Sequence, residues 1–249
     1  MRHFLFAALT ALLPLSSRAD TNDNLPDAKI ILARVSASRP TKDFSLKARL
    51  FVGHADPVPV QILVWNGTNE TRTIYRGGQT EALVIQPVNG APRFYLRGAG
   101  ELAGARRAKS LLGSQFSYYD LGLPFLHWPN AKLLGESRVR GRDCFVIESA
   151  ADGEPYARVK MWIDEEYFAL LRAEAFDAKG TLTRRFAITS FKRIGDIWIP
   201  RGLEASVLLP YQSLPSEEKS RLEIYEGNYD AALSAEQFAP ERFQSTASR

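Results

Sequence analysis

The sequence predicts a mainly β chain, laid out as an antiparallel meander with one insertion of short helices. Three observations carry this. Apolar and polar residues alternate over many short stretches, the period of a half-buried strand. The turns between these stretches are too short to hold a crossover helix, so neighbouring strands run antiparallel. One segment, residues 99–128, breaks the rhythm, with no β-branched residue between Ala99 and Leu112. The composition, 45% hydrophobic and 24% charged over 249 residues, is that of a globular chain able to bury one sizeable core.

The chain starts with a basic Met1–His3, an apolar run Phe4–Leu15 too short to span a bilayer, and small residues flanking Arg18. The expectation is a cleaved signal peptide over residues 1–19 and a single domain over residues 20–249. The alternative, an N-terminal anchor, is opposed by Pro14 and by the short length. Next comes a helix, with Asn24 as its N-cap and Pro26 in its first turn. Its apolar face is Ala28, Ile31, Leu32 and Val35, and Ser38–Pro40 stop it.

A strand follows at 43–52, with Phe44, Leu46, Ala48, Leu50 and Val52 on one face. A loop, His54–Pro59, leads to Val60–Trp65, and Asn66-Gly67 turns it into Glu70–Arg76. Gly77-Gly78 starts the next hairpin, Glu81–Pro87 with Arg93–Arg97 around Asn89-Gly90. The inserted segment 99–128 reads as one or two short helices and a loop. It is apolar and aromatic, the natural lid for a sheet face. Beyond it a ladder runs from Lys132. Its strands are Arg142–Ser149, Ala157–Asp164, Phe168–Phe176 and a stretch holding Leu182, Phe186 and Ile188, a row that Arg184 interrupts. Gly195-Asp196 then turns into Ile197–Leu209. Leu222, Ile224 and Tyr225 mark a last strand, and Ser234 caps a one-turn helix that Pro240 ends.

Several function classes are excluded. The net charge of +4 falls to +2 without Arg2 and Arg18, and no arginine run is interleaved with aromatics, so nucleic acid is not a partner. Cys144 is the single cysteine, so no internal disulfide forms, and its strand position makes it a small buried hydrophobe. After cleavage only His54 and His127 remain, neither with a metal-ligand neighbour in sequence. No Gly-x-Ser-x-Gly elbow and no phosphate loop occur, and Asp164–Glu166 read as solvated turn carboxylates. The reading is a non-enzyme without metal or cofactor.

The insertion carries a recognisable element: Gly113-Ser114, then Phe116, Ser117 and Tyr118, then Asp120-Leu121. After it come Leu134–Glu136, Gly141–Cys144, Trp162–Asp164, Asp177–Gly180, Ile197–Pro200 and Phe238–Pro240. In this order they resemble the LolA-like outer-membrane lipoprotein-sorting proteins, over residues 110–243 by motif and 25–100 by strand pattern. Gln115, Tyr119 and the insert 104–109 depart from the family. The resemblance implies an incomplete antiparallel β-barrel, a strongly curved sheet whose open side is closed by a few helices. It implies a monomeric periplasmic carrier that holds the acyl chains of a lipoprotein or another lipid. Such a carrier takes cargo from an inner-membrane donor complex, passes it to an outer-membrane acceptor, and touches membranes only peripherally. The alternative within the same fold is a periplasmic lipid-sensing or protein-binding regulatory module.

Candidate lining residues are Phe44, Leu46, Leu50, Ile62, Val64, Val159, Met161, Ile163, Leu182, Phe186 and Ile188. Candidate lid residues are Leu111, Leu112, Phe116, Tyr118 and Leu121. Plain core is the competing reading for any single one of them. A lid-holding arginine is sought at Arg72 or Arg76. Arg106, Arg107 and Lys109 read as a solvated helix face.

Overall fold

The computed structural model describes residues 26–38, 40–195, 197–208 and 217–244; the expected signal peptide, Asp196 of the last turn and residues 209–216 lie outside them. The helix α1 (Ala28–Ala37) is capped by Asp27 rather than Asn24, so Pro26 precedes the helix instead of entering its first turn; the Asp27 carboxylate accepts from the Lys29 N–H at 2.7 Å. It buries Ala28, Ile31 and Leu32, the apolar face read from the sequence.

The strands form a single antiparallel sheet. The first meander is β1 (Phe44–Val52), β2 (Val58–Asn66), β3 (Glu70–Gly77), β4 (Thr80–Pro87), β5 (Arg93–Leu96) and the short β6 (Gly100–Glu101). The second is β7 (Asn130–Val139), β8 (Arg142–Ala150), β9 (Arg158–Asp164), β10 (Leu170–Phe176), β11 (Leu182–Ile194), β12 (Ile197–Leu208) and β13 (Glu217–Tyr229). The last strand returns to pair with β1, at Leu222 opposite Leu50, and so joins the two meanders edge to edge. The order is β6-β5-β4-β3-β2-β1-β13-β12-β11-β10-β9-β8-β7, thirteen strands that do not close.

The two free edges are therefore β6 and β7, which are consecutive in the chain. Laid flat, thirteen strands would hold these edges roughly 58 Å apart. Instead one side chain of the connecting segment, Tyr119, touches Phe94 on β5 at 6.0 Å and Tyr156 before β9 at 5.7 Å between ring centroids. The sheet is curled around that segment. Its inner face, with α1 and the connection, makes one apolar cluster that includes Leu46, Leu50, Ile62, Val84, Phe94, Met161, Ala175 and Leu222.

The outer face of the first meander is also buried. In β4 the run Ala82–Ile85 is buried without a break. Leu83 and Ile85 join Leu63, Ile74 and Tyr95 beneath two C-terminal 3-10 turns, Ala235–Phe238 and Pro240–Phe243, which contribute Phe238 and Phe243. Ser234 caps the first turn as expected; Pro240 starts the second rather than ending the structure, because proline fits the first position of a helical turn.

Candidate functional site

The site is the concave face of the sheet together with the connection that covers it. Phe44, Leu46, Leu50, Ile62, Val64, Val159, Met161, Ile163 and Phe186 are all buried in the inner cluster. Alternation along each strand brings them there: a residue and its second neighbour share a face. Leu182 and Ile188 are half-buried and stand outside that cluster. Register shifts at Ala175/Phe176 and Ile188/Ser190 change the alternation near both ends of this stretch, which a reading of strict period two misses.

The cover is an ordered flap. Its first part is a tight loop in which the Leu111 N–H donates to the Phe116 carbonyl at 2.7 Å and Ser110 bridges Ser117. This loop aims Leu111 and Phe116 into the cluster, with Leu112 packed beside them. Then comes the single turn α2 (Tyr118–Leu121), closed by a reciprocal cap: Ser117 accepts from the Asp120 N–H, and Asp120 accepts from the Ser117 N–H at 2.7 Å. A 3-10 turn, Pro124–His127, brings in Phe125, which packs edge-on against Trp128. Leu111, Phe116, Tyr118, Tyr119 and Phe125 are buried, and Leu121 packs against the cluster. In this structure the protein's own flap fills the hollow.

Flap and sheet fit closely. A Cβ at Gly122 would stand 2.7 Å from the Phe94 ring, so only glycine lets the end of α2 lie on β5. Two leucines flank this helix in left-handed backbone, Leu112 at φ 52° and Leu123 at φ 44°. A bulky side chain there costs roughly 1–2 kcal/mol per residue, so strain sits at both ends of the flap.

Polar groups fasten it. Arg184, on β11, reaches inward and donates from Nη1 to the Asp120 carboxylate and to the Gln115 carbonyl, both at 2.6 Å. Tyr156, between β8 and β9, donates its hydroxyl to the other Asp120 oxygen at 2.5 Å. Burial, and then the charge of Asp120, push that hydroxyl well above its ordinary pKa, so it stays a donor. The side chains of Asp120 and Arg184 are 1% and 17% exposed. Further ties are Ser220 Oγ, which accepts from the Gln115 N–H at 2.9 Å, and Gln86, which donates to the Gly122 carbonyl at 2.9 Å. Arg107 lies over Tyr119 and pairs with Glu154 at 3.1 Å.

Several expectations are corrected here. The lid-holding arginine is Arg184, whose position had read only as an interruption of an apolar row. Arg72 instead donates to the Phe238 carbonyl on the outer face, and Arg76 to Gln61 and Glu81. Arg107 is not a solvated residue, although Arg106 and Lys109 are exposed. Asp164 is buried: Arg142 clasps it through two nitrogens, and the Glu166 and Tyr167 N–H groups donate to it. Cys144 is a buried thiol, as expected. Among the described residues no three His, Cys, Asp or Glu side chains meet as a metal site, and no helix is long and apolar enough to cross a membrane.

Comparison with known proteins gives one family match. A model of a family described as "Uncharacterized protein" matches residues 96–245. No curated protein matches the chain. Among solved structures, the fold is similar to a domain named for outer-membrane lipoprotein sorting from Vibrio parahaemolyticus (TM-score 0.73, 17% identity, 86% of this chain and 97% of that one). It is similar to a DUF1329 family protein from Desulfovibrio piger (TM-score 0.72, 17% identity, 87% and 98%). It is also similar to a LolA superfamily protein from Nitrosomonas europaea (TM-score 0.56, 18% identity, 86% and 98%). The family match spans more than half of the chain and includes both the flap and the clasping Arg184, so this protein belongs to that family and has the LolA-like fold that its motifs imply.

Proposed function

We propose that this protein is a non-enzymatic periplasmic carrier that takes the acyl chains of a lipoprotein, or of another lipid, into the hollow as the flap swings out. The observation that supports it is the nature of the cover. The concave face is closed by a short connection between two edge strands, apolar underneath and held by a few polar ties. On this reading the lining residues buried in the inner cluster and the lid residues contact the cargo, and residues 20–249 act as one carrier domain.

The energies suit loading and unloading. A sixteen-carbon acyl chain gains roughly 11 kcal/mol on leaving water, at about 0.8 kcal/mol per methylene. Exposing the five buried flap side chains costs roughly 8–15 kcal/mol at 1.5–3 kcal/mol each. The two are comparable, so exchange is near balance and cargo can be released as well as held. The fold similarity to a protein named for lipoprotein sorting agrees with transfer towards the outer membrane.

The test is uptake of a fluorescent fatty acid and its displacement by unlabelled lipid. Wild-type protein should bind it, and Phe116→Asp, which sets a carboxylate against the apolar cluster, should weaken binding by about tenfold or more. No uptake by wild type, with the variant indistinguishable from it, would defeat the carrier reading.

A further inference from the structure

The polar cluster under the flap is divided between two parts of the molecule. Its side-chain donors, Arg184 and Tyr156, belong to the sheet and its connection; the acceptors they reach, the Asp120 carboxylate and the Gln115 carbonyl, belong to the flap. When the flap leaves, both acceptors leave as a block. The donors stay beside the apolar face, since Arg184 pairs in register with Ala175, a buried member of the inner cluster. Glu218 reaches the Gln115 side chain at 2.9 Å but stands in solvent, two strands away from Arg184.

A guanidinium left unpaired in a hollow filled by acyl chain is costly, and a neutral lipid has no charge to offset it at that point. An anion placed there restores the pair. We infer that Arg184 and Tyr156 form a headgroup site for anionic amphiphiles, and that the Asp120 carboxylate holds the place of the cargo's carboxylate or phosphate while the flap is closed. This inference rests on the carrier reading and adds the ligand class to it. The cargo competes with Asp120 directly: its head replaces the carboxylate while its chain replaces Leu111, Phe116 and Tyr119. Flap opening and headgroup recognition are thus one exchange of anions on Arg184.

Calorimetric titration with amphiphiles of one chain length separates the contributions. Decanoate and decyl phosphate should each bind about tenfold tighter than decanol or better, the worth of a hydrogen bond to a charged group. Arg184→Met should erase that preference by weakening the two anions, with decanol bound no more weakly than before. Acetate and inorganic phosphate alone should not bind, because they bring no chain to replace the flap. Equal binding of decanol and decanoate by wild type overturns the inference and leaves the carrier reading standing. So does binding of free phosphate or acetate as tight as that of the amphiphiles. Failure of all three amphiphiles while the fluorescent fatty acid still binds overturns the inference alone; failure of both removes the carrier reading with it. Should Arg184→Met not fold, Tyr156→Phe keeps the ring and removes one donor; it should reduce the anion preference about threefold, and an unchanged preference counts against the site.

Discussion

The sheet has two covers, and they are fastened in different ways. On the outer face of β2–β5, two C-terminal turns bury Phe238 and Phe243, with Trp65 alongside. Arg72 and Arg97 hold these turns by donating to the Phe238 and Arg242 carbonyls at 3.1 and 3.0 Å. Each arginine pairs with a carboxylate on the sheet itself, Glu70 or Glu81. On the inner face the flap uses the same device, an arginine donating to a backbone carbonyl, but the carboxylate comes from the flap. The difference is one of where charges go when a cover lifts. The outer arginines keep their partners, whereas Arg184 loses its own. A buried ion pair split between cover and sheet adds little static stability, yet breaking it is expensive. That combination makes a poor glue and, on the carrier reading, a good switch, and the strained Leu112 and Leu123 occur on the inner cover.

The strongest way to break this comparison is to remove the flap's charge. Asp120→Ala leaves Arg184 buried without a counter-ion, at a cost of about 3–5 kcal/mol. If the flap opens as the carrier proposal requires, water reaches Arg184 and the loss should appear as local opening. Hydrogen exchange at residues 110–123 should quicken by about a hundredfold or more, while residues 234–244 stay protected. The pair Asp120→Leu with Arg184→Met should recover part of the flap protection: it removes the unpaired charge, but the Tyr156 hydroxyl, the Ser117 N–H and the Gln115 carbonyl lose their partners. Equal loss of protection at both covers after Asp120→Ala would show that they are one cooperative unit.

Phe238→Ala probes the other side. It empties a fully buried aromatic site and should lower global stability by about 3 kcal/mol, read as a shift of the urea midpoint with an unchanged slope. Because the outer cover has no binding role in the proposal, fatty-acid uptake by the folded variant should be unchanged. A variant of normal stability with lost uptake would reverse the roles assigned to the two covers.

Much of the sheet could be read from the sequence, because alternation and turn chemistry are local. Phe44, Leu46 and Leu50 declare their face within β1, and Gly180 and Gly195 mark their turns by positive φ. The short strand β6 was missed, since two residues carry no period. The outer cover does leave a signal in the sequence: Ala82–Ile85 is apolar on both faces, which requires a second layer. The clasp was harder. Ser117 and Asp120 show a capping-box spacing, but nothing local says that Asp120 meets an arginine 64 residues away. Arg184 appeared as a defect in an apolar row. A cation on an inward face needs a partner, and that rule marks the position though not the partner.

A smaller test sharpens the comparison from the acid side. Burial alone would raise the pKa of Glu81, but hydrogen bonds from Arg97 and Arg76 outweigh it and hold the carboxylate below its usual range. A depressed pKa adds stability above the unfolded value, near 4.3, and that stability is lost as pH falls through the folded value. Arg97 also holds the Arg242 carbonyl and lies over the Phe243 ring. Protonating Glu81 therefore frees Arg97 and slackens the outer cover as pH falls below the ordinary carboxylate range. Hydrogen exchange at residues 240–244, corrected for intrinsic rate, should rise by a few-fold on acidification, the scale of a partly exposed pair. Glu81→Gln should show the faster exchange already at neutral pH and no acid step. An acid step that survives in Glu81→Gln would place the sensitive carboxylate elsewhere and remove the claim that the outer cover is fastened through the sheet's own ion pair.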